Sequence, residues 1–228
     1  MQTDASPGSR AAKSDMNEQF ARIGKALANA HRVEILDLLA QGERSVEILA
    51  ARASIPVGLA SAHLQILRRT GLITSRREGI RILYRLAGDD VYRLLAAVRT
   101  VAAERISDAE LAARSYLGGA TEALGRGELL ERVRLGIVTV VDLRPAEEYA
   151  AGHIPGALSI PLDELEARLA ELPSDVEVVA YCRGPFCSFA YEGVSLLRTA
   201  GWRASRLEDG FPEWRLAGLP VVTGTTPA

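Results

Sequence analysis

The sequence holds two cysteines, and both lie in one octapeptide, Tyr181-Cys182-Arg183-Gly184-Pro185-Phe186-Cys187-Ser188. An apolar, β-branched run from Val176 to Tyr181 precedes it and is bounded by Pro173, Ser174 and Asp175, which predicts a buried parallel strand. Ser188 is placed to cap a helix reaching about Ala200. A cysteine that closes a strand before a tight Gly-Pro loop and a helix N-terminus is suited to nucleophilic chemistry, because loop N–H groups and the helix dipole stabilise a thiolate. Cys182 is the expected reactive centre. Arg183, Gly184, Pro185, Phe186, Cys187 and Ser188 form the expected anion-binding loop. The competing reading is that both cysteines are small buried hydrophobes.

A second constellation lies upstream. Between Val57 and Thr70, the side chains of Ser61, His63, Gln65, Arg68 and Arg69 are polar, while Leu59, Leu64, Ile66 and Leu67 supply packing. Gln65 and His63 can hydrogen-bond base edges in a major groove, and Ser61, Arg68 and Arg69 can hold phosphates. Arg76, Arg77 and Arg81 flank a Glu78-Gly79 turn, where arginines track a nucleic-acid backbone or enter a minor groove. Residues 16–106 carry 14 Arg and Lys against 9 Asp and Glu, about +5, whereas residues 128–222 carry 9 against 15, about −6. Only the front half could meet a polyanion. The three histidines, His31, His63 and His153, stand in separate motifs, so there is no His/Cys cluster with metal spacing. Metal sensing is disfavoured, and no cofactor is implied.

The elements that must position these residues follow from periodicity. Phe20, Ile23, Gly24 and Leu27 mark one face of a helix over Asn17 to Ala28, and Val33, Ile35, Leu36 and Leu39 repeat the period over Ala30 to Leu39. Ser45 can cap a third helix, and Ser54-Ile55-Pro56 opens a fourth from Val57 to Thr70, stopped by Gly71. Two alternating runs, Leu72 to Arg77 and Ile80 to Leu86, predict a β-hairpin. Helices followed by a two-stranded wing make a winged helix-turn-helix. The next helix, Asp89 to about Ile106, carries Val91, Leu94, Leu95, Val98, Val101 and Ala102, a stripe too broad for a lone surface helix. Further on, short helices are predicted at Glu128 to Leu135 and around Glu147 to Tyr149, an amphipathic helix at Leu162 to Leu172, and a final helix at Phe211 to Ala217. Strands fall at Ile137 to Leu143, Leu158-Ser159 and Arg203 to Leu207, giving an α/β domain with a mostly parallel sheet.

Residues 19–103 resemble the ArsR/SmtB family of bacterial repressors in Ala26-Leu27-Ala28, His31-Arg32, Ile35-Leu36, Ala60-Ser61-Ala62-His63-Leu64 with Leu67, Gly71-Leu72-Ile73, Arg76-Arg77-Glu78-Gly79 and Tyr84. The family's paired-cysteine position reads Ser45-Val46-Glu47 here. The resemblance implies that the helix Asp89 to Ile106 pairs with the first helix of a twin subunit, giving a homodimer with two recognition helices for double-stranded operator DNA. Residues 127–222 resemble the rhodanese superfamily in Val140-Val141-Asp142-Leu143-Arg144, Glu147-Glu148-Tyr149, Gly152-His153-Ile154-Pro155-Gly156-Ala157, the Cys182 loop and Glu208-Asp209-Gly210-Phe211-Pro212-Glu213-Trp214. That resemblance implies a sulfurtransferase in which Cys182 carries sulfane sulfur as a persulfide, Asp142 and Arg144 support the loop, and Arg183 holds an anionic donor such as thiosulfate. The six-residue loop is the length of sulfur-transferring members. Thiosulfate users often carry a basic residue where this chain has Cys187.

The domain plan is a disordered tail (1–15), a winged helix-turn-helix for DNA binding and dimerisation (16–106), a linker (107–126) and a rhodanese-like domain (127–224). The expected function is a DNA-binding transcriptional regulator whose rhodanese-like domain couples reactive-sulfur status to DNA binding. The alternative is a sulfurtransferase whose winged helix dimerises or tethers it. Partners would be operator DNA, a second copy, a small donor (thiosulfate, polysulfide or low-molecular-weight persulfide) and a thiol acceptor. The first fifteen residues lack a secretory apolar core, no run is long enough to span a membrane, and the cysteines make no disulfide framework, so a reducing cytoplasm is expected.

Overall fold

The computed structural model describes residues 6–118 and 121–224 and divides into two compact units after Leu95. In the first unit, α1 (Arg10–Leu27) starts where the Ser9 side chain accepts the Ala12 N–H, and α2 (Ala30–Ala40) starts where Asn29 accepts that of Arg32. The Arg32 guanidinium closes the preceding helix by donating to the Lys25 and Ala26 carbonyls. Residues 10–15, expected as tail, are therefore helical because Ser9 supplies a cap; residues 1–5 of that tail lie outside the described residues.

The short β1 (Arg44–Ser45) leads into α3 (Val46–Arg52), and α4 (Val57–Arg69) follows across Ser54-Ile55-Pro56. The hairpin β2 (Ile73–Glu78) and β3 (Arg81–Leu86) turns at Gly79, whose φ of 60° suits glycine. Strand β1 adds to the hairpin, so the antiparallel order is β1-β3-β2. This is the winged helix-turn-helix.

Helix α5 (Asp89–Arg105) buries Val91, Tyr92 and Leu95 and leaves Val98 and Val101 exposed. Residues 107–126, expected as a linker, contain α6 (Ser107–Leu117) and β4 (Ala123–Leu124), the latter already part of the second sheet.

The second unit continues with α7 (Arg126–Arg134), β5 (Val138–Asp142), α8 (Ala146–Ala151), β6 (Leu158–Ser159), β7 (Glu177–Tyr181), α9 (Ser188–Thr199), β8 (Ala204–Leu207) and α10 (Phe211–Leu216). Its sheet is parallel, in the order β4-β8-β7-β5-β6. Alternation splits β7 between two cores: Val179 and Tyr181 pack with Leu129, Phe211 and Trp214, while Val178 and Ala180 pack with Leu165, Val194 and Leu197. The expected helix over Leu162 to Leu172 is instead a run of turns ending in a 3₁₀ segment, Leu169–Glu171. Its backbone bonds are mostly of the i to i−3 type, and Arg168 ties it down through Ser159 O, Glu164 and Glu171.

Candidate functional site

After β5 the chain crosses to β6 on one side and then to β7 on the other, so β5 and β7 bound the crevice where open α/β sheets bind ligands. Cys182 follows the last residue of the central strand β7. Its backbone is held there, since Tyr181 O accepts the Leu143 N–H at 3.1 Å and Cys182 O accepts the Phe211 N–H at 3.0 Å. The loop then closes on itself, Cys187 N–H donating to Gly184 O at 3.1 Å and Tyr191 Oη donating to Pro185 O at 3.3 Å. Helix α9 begins at Ser188, so Cys187 and not Ser188 occupies its N-cap, and no side chain caps it.

Both cysteines are free thiols. Cys182 is 1% exposed, and its Sγ lies 3.5 Å from Cys187 O and 3.8 Å from Gly184 O. Burial pushes the Cys182 thiol well above its ordinary value, reinforced by Cys187 and opposed by the N–H groups of Gly184 and Ala190. Cys187 moves down, through the hydrogen bond from Cys182, the N–H groups of Arg183 and Phe189, and the Arg183 charge. The expectation of a thiolate at Cys182 thus meets a different distribution: the more exposed Cys187, at the helix N-terminus, is the easier to ionise.

A buried ion pair lies at the end of β5. Arg144 and Asp142 are both fully buried and joined through Arg144 Nη2 to Asp142 Oδ2, with Arg144 N–H donating to Oδ1 at 3.0 Å. The same Nη2 donates to Gly152 O at 2.7 Å, and the guanidinium lies 4.4 Å from the Phe211 ring and 5.6 Å from the Tyr181 ring. Asp142 ends β5 and Tyr181 ends β7 beside it, so the pair sits under the strand ends that carry the loop. His153 is buried with Nδ1 2.9 Å from Tyr149 O, a structural placement.

In the winged helix, α4 buries Ala60, His63, Leu64 and Leu67 and exposes Gln65, Arg68 and Arg69, with Ser61 at the edge. His63, expected to read bases, is 7% exposed, its ring 5.8 Å from that of His31 and both ring nitrogens without a hydrogen-bond partner. Burial, with the charges of Arg32 and His31, holds it below the ordinary histidine value. The reason is register: 60, 63, 64 and 67 are one helical face. Arg77 and Arg81 are exposed on the wing, while Arg76 is bonded to Glu43 and Glu78.

Comparison with known proteins places both units. The family described as bacterial regulatory protein, arsR family, matches residues 29–75, and the rhodanese-like domain matches residues 126–217. The HTH-type transcriptional regulator Rv0324 of Mycobacterium tuberculosis is 54% identical over 212 residues, spanning 93% of this chain and 94% of that protein. The chain belongs to the ArsR family of transcriptional regulators and carries a rhodanese-like domain. Part-length relatives of this ArsR-family regulator include a sulfurtransferase of Allochromatium vinosum, 38% identical over 37% of this chain and 78% of that protein. Another is the HTH-type regulator Rv0081 of M. tuberculosis, 38% identical over 39% of this chain and 78% of that protein.

Two residues of the regulator's loop region escaped the sequence reading as site residues. Gly210 packs so tightly on the loop that an added Cβ would stand 2.2 Å from Gly184 N. Glu148, 1% exposed on α8, accepts from Arg183 Nε at 2.9 Å and from Nη2 at 2.7 Å. Both stand inside the quoted rhodanese-like motifs; what each touches depends on α8 and α10 reaching the β7 loop.

Proposed function

We propose that this ArsR-family regulator binds operator DNA as a homodimer and that its rhodanese-like domain carries sulfane sulfur on Cys182 as a persulfide, which changes operator affinity. The observation that carries the reading is the paired thiol site: Cys182 at the floor of a closed loop after the central strand, with Cys187 at the N-cap beside it. Cys182 is the sulfur carrier. Arg183 through Ser188 form the surrounding loop, and Asp142 with Arg144 hold its base. DNA contact runs through Ser61, Gln65, Arg68 and Arg69 on α4 and through Arg76, Arg77 and Arg81 on the wing.

Exposed apolar side chains favour the dimer. Met16 and Phe20 are 47% and 65% exposed on α1, and Val98 and Val101 are 40% and 58% exposed on α5, apolar side chains that a second copy would cover. Light scattering of the full chain should give a dimer that Val101→Glu weakens. Among the described residues no helix is long and apolar enough to cross a membrane.

The test is a titration of operator DNA with reduced protein, protein treated with a persulfide donor, and treated Cys182→Ser. A shift of about 5- to 150-fold between the first two, absent in the third, is the expected coupling. Equal affinities in all three would leave a sulfurtransferase tethered to DNA, with no sensor.

A further inference from the structure

The loop's arginine does not present its charge to an open anion site. Its guanidinium clamps the Glu148 carboxylate through Nε and Nη2, and its carbon lies 5.0 Å from the Phe189 ring centroid. The Glu148 carboxylate is buried and the Arg183 side chain only 14% exposed, so the two charges cancel inside the protein. The loop's other end is Cys187, and residues 128–222 carry the acidic excess counted above. A dianion approaching a thiolate here meets a matched ion pair where it needs an uncompensated cation.

We propose that Glu148 sets the donor class of the sulfur site: by matching Arg183 it disfavours anionic donors such as thiosulfate and leaves Cys182 to thiol-borne organic persulfides. The proposal rests on Cys182 being the sulfur carrier. In the favoured step, the Cys182 thiolate attacks the terminal sulfur of R–S–SH. The R–S to sulfur bond breaks, R–S⁻ leaves with the electron pair, and Cys182–S–SH remains, so no outside oxidant is consumed. With thiosulfate the same attack expels sulfite, a dianion whose developing charge needs a cation that Glu148 has already engaged. Glu148 is a positioning residue, acting through Arg183.

The test loads the full-length reduced protein from two donors at equal concentration, thiosulfate and cysteamine persulfide, whose ammonium group offsets the charge of its persulfide. It follows the gain of one sulfur by intact mass, assigned to Cys182 by peptide mapping. The parent should load at least about tenfold faster from the persulfide, and Glu148→Gln, which keeps the hydrogen-bond acceptor and removes the charge, should shrink that ratio about fivefold or more. The double variant Glu148→Gln/Arg183→Gln, without either charge, should return toward the parent ratio. Equal rates for the parent from both donors would overturn the proposal, and that comparison needs no variant to fold. An unchanged ratio in folded Glu148→Gln would also overturn it. Loading at Cys182 from neither donor is a distinct result, and it would remove the sulfur-carrier reading itself.

Discussion

Adding one methyl group at Gly210 should dislocate the Cys182 loop without touching a cysteine. Gly210 has φ −117° and ψ −171°, extended backbone open to any residue, so Gly210→Ala brings no conformational penalty of its own. The penalty is contact. The new Cβ would lie 2.2 Å from Gly184 N and 2.4 Å from both Arg183 C and Gly184 Cα, and these are backbone atoms with no rotamer to escape into. Since ordinary contact begins near 3.4 Å, the loop must retreat by roughly 1 Å. Overpacking of this kind costs about 1–3 kcal/mol. At about 4–8 °C per kcal/mol for a domain of this size, the rhodanese-like unit should melt visibly earlier. A displacement of about 1 Å at a reacting group is worth on the order of 100-fold in rate, so persulfide loading of Cys182 should fall by that order. Differential scanning calorimetry reads the first effect and intact-mass kinetics the second. Gly127→Ala, on α7 with nothing within 4 Å, is the matched control and should be neutral or slightly stabilising. Parent-like melting and loading in Gly210→Ala would refute the close approach.

Arg144→Met should destabilise the rhodanese-like unit by about 3–5 kcal/mol, because it leaves the fully buried Asp142 carboxylate unpaired; denaturant unfolding measures it. His63 has its folded value depressed, so the unfolded chain binds the proton more readily and stability is lost as pH falls below the ordinary histidine range. Melting of the winged helix should accordingly drop between about pH 7 and pH 5, and the drop should shrink in His63→Leu, whose operator preference should match the parent. Gln65→Ala should blur sequence preference, whereas Arg77→Ala should weaken binding to all sequences and lower the salt slope by about one; fluorescence anisotropy across a salt series distinguishes them. Arg76→Ala should have the smaller effect, since Glu43 and Glu78 already neutralise that guanidinium.

Local signals determined most of the architecture. The apolar run ending at Tyr181, the Gly-Pro loop, the periodic helices and the alternating hairpin each state their structure within a few residues, because backbone preference and one-sided burial act over short distances. The order of the motifs was enough to recognise both families. Where local signals misled, the cause was what the folded chain packs against each residue. His63 looks like a base reader in a list of polar residues, yet its spacing from Ala60, Leu64 and Leu67 turns it inward, against the helix that carries His31. Leu162 to Leu172 has helical spacing, but its chain winds as turns that Arg168 pins to Ser159. Most consequential is Arg183, which reads as the loop's one cation, while its pairing with the buried carboxylate of Glu148, 35 residues away in sequence, appears only once α8 is folded against the loop. The thiol chemistry follows the same rule: the strand end and loop place Cys182, but its burial and the N-cap position of Cys187 decide which sulfur ionises more readily. Charge is local in the sequence, but the field a charge experiences is set by everything folded around it.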